Sequence, residues 1–166
     1  MKTILLFHQS AELYGSDKSV LNIIKHFNKQ YKIIILIPED GPFINELKKL
    51  NIEFHIIDLV KISRSVLSIS FFIKSPYYIF KSLSKISEIV NNRRIDIVYS
   101  NTLAVIVGAI WAKLHKKYHI WHIREIIVYP RIARSMFSFL SNKLSDKIIC
   151  NSNATKNWIL NNHAKK

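Results

Sequence analysis

The stretch KTILLFHQSAELYGSDKSVLNIIKHF, Lys2 to Phe27, decides how the rest of the chain is to be read. Lys2 to Phe7 is an apolar run too short for a helix, and such a run, closed by a polar loop, fits a strand buried on both faces of a parallel sheet. The loop contains Gly15. From Asp17 to Phe27, Val20, Ile23, Ile24 and Phe27 share one helical stripe, with Ser16 or Asp17 as the cap. A second apolar run, Tyr31 to Ile37, completes a strand-helix-strand unit at Pro38.

The pattern continues outward from this unit. The turn Glu39 to Pro42 leads into a helix from Phe43 to Leu50 and a strand from Glu53 to Ile57. After a long, irregular basic segment from Val60 to Arg94, it resumes with a strand at Ile95 to Ser100, a helix at Leu103 to His115 and a strand at Tyr118 to His122. A helix at Pro130 to Leu144, a strand at Lys147 to Cys150 and a helix at Asn153 to Asn161 follow. This alternation specifies an α/β fold, a Rossmann-like doubly wound, mostly parallel sheet with helices on both faces. At 166 residues, a single domain spanning 1–166 is expected.

Bulk properties narrow the function. No apolar stretch approaches the length of a bilayer span, and the opening run ends at His8 without a small-residue cleavage site, so a cytoplasmic chain is expected. The single cysteine, Cys150, excludes an internal disulfide and a multi-cysteine zinc site, and at the end of an apolar strand it reads as an inert small hydrophobe. Lys and Arg number 25 against 11 Asp and Glu, a formal charge of +14 that favours an anionic partner, although lysine is abundant throughout. The charge takes a pattern only in the segment 60–94. There Lys61, Arg64, Lys74, Lys81, Lys85, Arg93 and Arg94 are interleaved with Val66, Leu67, Phe71, Phe72, Tyr77, Tyr78 and Phe80, and only Glu88 opposes them. That mixture suits an anionic membrane surface; a core helix with a solvated basic face is the plainer alternative.

Open sheets of this kind bind ligands beyond the carboxyl ends of their strands, where the strand order reverses. The loops His8 to Ser16, Ser100 to Thr102 and the segment HIREI, His122 to Ile126, would then line one crevice. His122 suits proton transfer or hydrogen bonding to a sugar or phosphate, or is a satisfied core histidine. No metal site is expected from His119-x-x-His122, because residues three apart on a strand point to opposite faces. Arg124 and Glu125 either grip a phosphate or hydroxyl or pair with other charges. Gly15, Ser16 and Asp17 open a helix, whose free N–H groups favour an anion, or form an ordinary capped turn. Ser100, Asn101 and Thr102 offer short polar groups to sugar hydroxyls, or cap the next helix. Ser152 and Asn153 read as a cap. With only Gly15, Gly41 and Gly108 in the chain, neither GxGxxG nor a Walker loop can be drawn.

Three stretches together resemble the amino-terminal domain of retaining glycosyltransferases of family four, the GT-B class: SAELYGSDKSVLNIIKHF, IDIVYSNTLAVIVGAIWAK, and HIWHIREI with the later IICNSNATKNWI. That family usually carries two adjacent glycines in the first loop, where this chain keeps Gly15 alone. The resemblance implies a crevice histidine at His122 beside the sugar undergoing transfer. It also implies metal-independent transfer with retention, no cofactor, and a nucleotide-sugar co-substrate bound mostly by a carboxy-terminal domain. On this reading residues 1–166 are the acceptor-side half, inactive alone, with a sugar or lipid-linked glycan as acceptor. The expected location is cytoplasmic, peripheral on the inner face of the plasma membrane through 60–94, with no nucleic-acid partner. The alternative is a non-catalytic Rossmann-like module that binds a nucleotide or nucleic acid.

Overall fold

The computed structural model of the protein describes residues 1–59 and 69–163. Its strands are β1 (Lys2–Phe7), β2 (Tyr31–Ile37), β3 (Glu53–Ile56), β4 (Ile97–Asn101), β5 (Tyr118–Ile123) and β6 (Lys147–Cys150). The helices are α1 (Gly15–Phe27), α2 (Pro42–Lys49), α3 (Ile69–Val90), α4 (Ile106–Leu114), α5 (Arg131–Leu144) and α6 (Asn153–His163). The strands form one sheet in the order β3-β2-β1-β4-β5-β6, every pair parallel. This is the Rossmann-like α/β fold that the alternation requires, and the order reverses between β1 and β4.

Side-chain alternation along the strands divides the core into two layers. Leu6, Ile33, Ile35 and Ile37 pack with Val20 and Ile24 of α1 and Leu47 of α2. On the other face Leu5, Phe7, Ile34, Leu36, Val98 and Trp121 meet Ile86 of α3, Trp111 of α4, Phe137 of α5 and Trp158 of α6. Close approach of α4 to the sheet depends on Gly108: a Cβ there would lie 2.5 Å from Ser100 Oγ and 2.8 Å from the Phe7 ring.

Several boundaries differ from the sequence reading, among them β4, which runs Ile97–Asn101 where Ile95 to Ser100 was expected, and four differences have a local reason. The cap of α1 is Tyr14, not Ser16 or Asp17, because the Asp17 carboxylate reaches back to accept the Tyr14 N–H (2.9 Å) from inside the first turn. Helix α4 starts at Ile106 instead of Leu103, since the N–H groups of Leu103 and Ala104 are taken by Glu125 and Thr102 side chains. β5 continues past His122 to Ile123, held by Asn151 N–H donating to Ile123 O. Much of the segment read as irregular is the 22-residue helix α3. The sequence pattern there is helical: Ile79, Leu83, Ile86 and Val90 recur at three- and four-residue spacing and pack on the core. The readings placed on Lys61, Arg64, Val66, Leu67, Phe71, Phe72 and Lys74 lie outside the described side chains. Among the described residues no helix is long and apolar enough to cross a membrane.

Candidate active-site crevice

The three loops anticipated at the switch point converge at the carboxyl ends of β1, β4 and β5, and polar side chains cross-brace them. The first wall begins where β1 ends. His8 is wholly buried, with its ring 5.2 Å from that of Phe43. Asn101 Nδ2 donates to His8 Nδ1 (2.9 Å), which leaves Nε2–H to donate to Asp17 Oδ1 (2.7 Å). Asp17 is wholly buried too. Its carboxylate also accepts from Ser16 Oγ (2.9 Å), Tyr14 N–H (2.9 Å) and Ser10 Oγ (3.2 Å). Burial opposes its ionisation, but the bonds from His8, Ser16 and Tyr14 prevail and lower the pKa to about 2. Asp17 therefore shapes the first loop from beneath and offers no accessible oxygen to a ligand. Gly15 sits exposed above it, and a Cβ placed there would meet nothing within 4 Å, so the start of α1 is open to an approaching group.

The second wall is the end of β4. Ser100 and Asn101 point to opposite faces, as neighbours on a strand must. Ser100 is buried in the layer under α4, where its hydroxyl bonds His119 Nε2 (2.9 Å), so it does not line the crevice. Asn101 faces the α1 side; its Oδ1 is buried with no hydrogen-bond partner among the described residues, an unmet acceptor beside the site. Thr102 has φ of +87°, which is rare for a β-branched residue and carries local strain. It is held there on every side: its N–H donates to His122 O (2.8 Å), its hydroxyl to Gln9 Oε1 (2.9 Å), and its carbonyl accepts from Trp121 Nε1 (2.8 Å).

The third wall is HIREI. His122 is 8% exposed, and its Nδ1 lies 2.7 Å from the Tyr99 hydroxyl. Burial first, and then the Arg124 charge, lower its pKa to about 4, while burial raises Tyr99 to about 12 despite Arg124. At neutral pH the pair is thus a neutral phenol and a neutral imidazole. With the phenol proton donated to Nδ1, the ring proton sits on Nε2, which has no partner among the described residues. Arg124 reaches across to α1, donating to Ser16 O (3.2 Å) and Ser19 Oγ (2.7 Å). Glu125 reaches to the second wall: Oε2 accepts from Leu103 N–H (3.0 Å) and Arg124 N–H (3.2 Å).

His119 belongs to the opposite face. Its Nδ1–H donates to Leu144 O (2.9 Å) and its Nε2 accepts from Ser100, a satisfied core histidine that cannot share an ion with His122. The structure thus gathers Ser16, Asn101, Thr102, His122, Arg124 and Glu125 with Gly15 above Asp17, and sends Ser100 elsewhere. The sequence reading set the loop beginning at His8 on the crevice but gave His8 and Gln9 no role of their own, and it missed Ser19 and Tyr99 as members of the site. Tyr99 had a usable signal, since it stands two residues before Asn101 and so on the same face of β4.

A family model described as Glycosyltransferase Family 4 matches residues 14–166. No curated protein matches the chain by sequence. Among solved structures, Anabaena HepE in complex with UDP and glucose superposes with a TM-score of 0.72 at 19% identity, over 98% of this chain and 41% of that one. MurG of Acinetobacter baumannii gives 0.65 at 18% identity, over 93% of this chain and 42% of that one. A UDP-GlcNAc 2-epimerase from Neisseria meningitidis, bound to UDP-GlcNAc, gives 0.64 at 13% identity, over 97% and 43%. The chain spans about two fifths of the length of these structures. Identities this low establish a shared fold, and the fold serves a 2-epimerase as well as proteins named as glycosyltransferases.

Proposed function

Since the chain belongs to glycosyltransferase family 4, we propose that it is the acceptor-side domain of an enzyme that moves a sugar from a nucleotide-sugar to a glycan or lipid-linked acceptor. Transfer proceeds with retention, and a second, carboxy-terminal domain supplies most of the donor site. The observation that carries this reading is the braced crevice with a neutral His122 whose Nε2–H is unused by the protein.

Each group then has a defined task. His122 donates its Nε2 hydrogen bond to an oxygen of the sugar in transfer, and the buried Tyr99 hydroxyl fixes the ring for it. A neutral imidazole is suited to orienting and hydrogen bonding, since its proton need not leave. Arg124 and the free N–H groups at the open start of α1 offer donors to a leaving diphosphate, although the Asp17 and Glu125 carboxylates beside them offset the Arg124 charge. Glu125 holds the β4 loop, and with it the strained Thr102, at the acceptor side. The test is transfer by an enzyme that carries this domain together with a donor-binding domain. His122→Ala should slow transfer by about 10² to 10⁴ with folding intact. Unchanged activity would remove His122 from the mechanism, and measurable transfer by residues 1–166 alone would remove the need for a second domain.

We further propose peripheral attachment to the cytoplasmic face of a membrane through α3. Tyr77 (67%) and Phe80 (72%) are largely exposed on this helix, and Ile56 is exposed in the adjoining β3. The basic residues contribute less than their number implies. Lys81 pairs with Asp58 (3.3 Å), Lys85 with Glu88 (3.0 Å) and Arg94 with Asp96 (2.8 Å), and Arg93 pairs with Glu53. The exposed aromatics therefore carry more of this attachment than the charge does.

A further inference from the structure

At the amino-terminal end of β5, opposite the crevice, a cleft of about 610 Å³ lies between the ends of α4 and α5. Lys113, Lys116, Lys117 and Lys143 line it, and none of the four ammonium groups has a hydrogen-bond or ion-pair partner among the described residues. Lys113 and Lys143 stand in the last turns of α4 and α5, where a cation complements the roughly half negative charge of a helix carboxyl end. The two lysines of the following turn have no such explanation. Asp146, the only carboxylate among the described residues that line the cleft, already accepts the His119 N–H through Oδ2 (2.8 Å). With Asp146 and both helix ends counted, the cleft retains an excess of about two positive charges, the charge of a phosphate group near neutrality.

The turn itself gives an independent indication. Among the described residues, three helices are followed by a residue in the left-handed region: Asn51 after α2 (φ +52°), Asn92 after α3 (+56°) and Lys116 after α4 (+52°). Asparagine tolerates that conformation and is the usual alternative to glycine there, whereas lysine is not favoured by the backbone. Lys116 is nevertheless held firmly, since its N–H donates to Lys113 O (3.3 Å) and the Lys117 N–H to Ala112 O (2.9 Å). The site thus places its cations on a fixed turn, against the local preference.

We propose that this cleft binds a phosphate-bearing anion, separately from the crevice. Isothermal titration of the whole 166-residue chain with inorganic pyrophosphate at constant ionic strength tests this. The expected result is a saturable site that weakens by at least about tenfold in Lys116→Gln/Lys117→Gln, the loss of one charge-assisted hydrogen bond or more. Arg124→Gln, which alters the crevice, should retain it, and so should Lys25→Gln/Lys48→Gln on α1 and α2. Amide NMR shifts should map to residues 113–118 and 143–146. An isotherm unchanged in the turn variant, or weakened equally by the α1/α2 variant, overturns the proposal. Vesicles of phosphatidic acid that compete with pyrophosphate assign the phosphate to a lipid headgroup, and failure to compete assigns it to a soluble phosphate compound.

Discussion

Acidification should destabilise this fold well above the range in which carboxylates titrate, and His119 is the main reason. The side chain is 1% exposed, and burial lowers its pKa from 6.5 to about 4, against the raising effects of the Leu144 carbonyl and Asp146. Between those two values the unfolded chain binds the proton and the folded chain does not, so stability rises with pH across the window. The contribution is complete above pH 6.5 and is lost as pH falls through about 4. Linkage gives a loss of about 2 kcal/mol on moving from about pH 7 to about pH 5 for one such group. His122, lowered to about 4 by burial and by Arg124, adds a term of the same sign. Together they approach about 4 kcal/mol as an upper bound, a large share of the 5 to 15 kcal/mol typical of a domain. Asp17 acts lower: its contribution is present above 3.8 and is lost as pH falls through about 2, so the two windows separate. Urea unfolding followed by the fluorescence of Trp111, Trp121 and Trp158, repeated from about pH 7 to about pH 4.5, reads the slope. His119→Gln should flatten it by roughly half. Stability that stays level between about pH 7 and about pH 5, or a slope unaltered in His119→Gln, would refute the assignment of a neutral buried histidine.

Gly108→Ala should lower stability by about 1 to 3 kcal/mol in thermal or urea melts although alanine favours helix, because the new methyl meets Ser100 Oγ and the Phe7 ring. Gly41→Ala should cost about 3 kcal/mol, since its Cβ would lie 2.4 Å from the Ala11 carbonyl, which accepts the Phe43 N–H; the backbone of the first loop would have to move. Arg124→Gln removes a positive charge from beside His122, so the His122 pKa should rise towards its ordinary value in an NMR titration. Stability should fall by about 1 kcal/mol with the loss of the bonds to Ser16 and Ser19. Tyr77→Ser/Phe80→Ser should reduce co-sedimentation with anionic vesicles more than Lys81→Gln/Lys85→Gln does; the opposite ranking would return the attachment to electrostatics.

What the sequence determined by itself was periodicity and its consequences. Continuous apolar runs at Lys2–Phe7 and Tyr31–Ile37, separated by one helical stripe, require a parallel sheet covered on both faces, and hence a crevice at the strand-order reversal. The parity of a strand was enough to set His119 and His122 on opposite faces. Only the tertiary structure decided what the polar residues do, because their partners are far apart in the chain: His8 meets Asn101 across 93 positions, and Arg124 meets Ser16 across 108. Asp17 could equally have faced a ligand or the interior, and its role was fixed by His8, Ser10 and Ser16 closing around it. The same holds for the left-handed Thr102, a conformation no local preference for threonine would select, and one that exists because three neighbouring segments hold it in place.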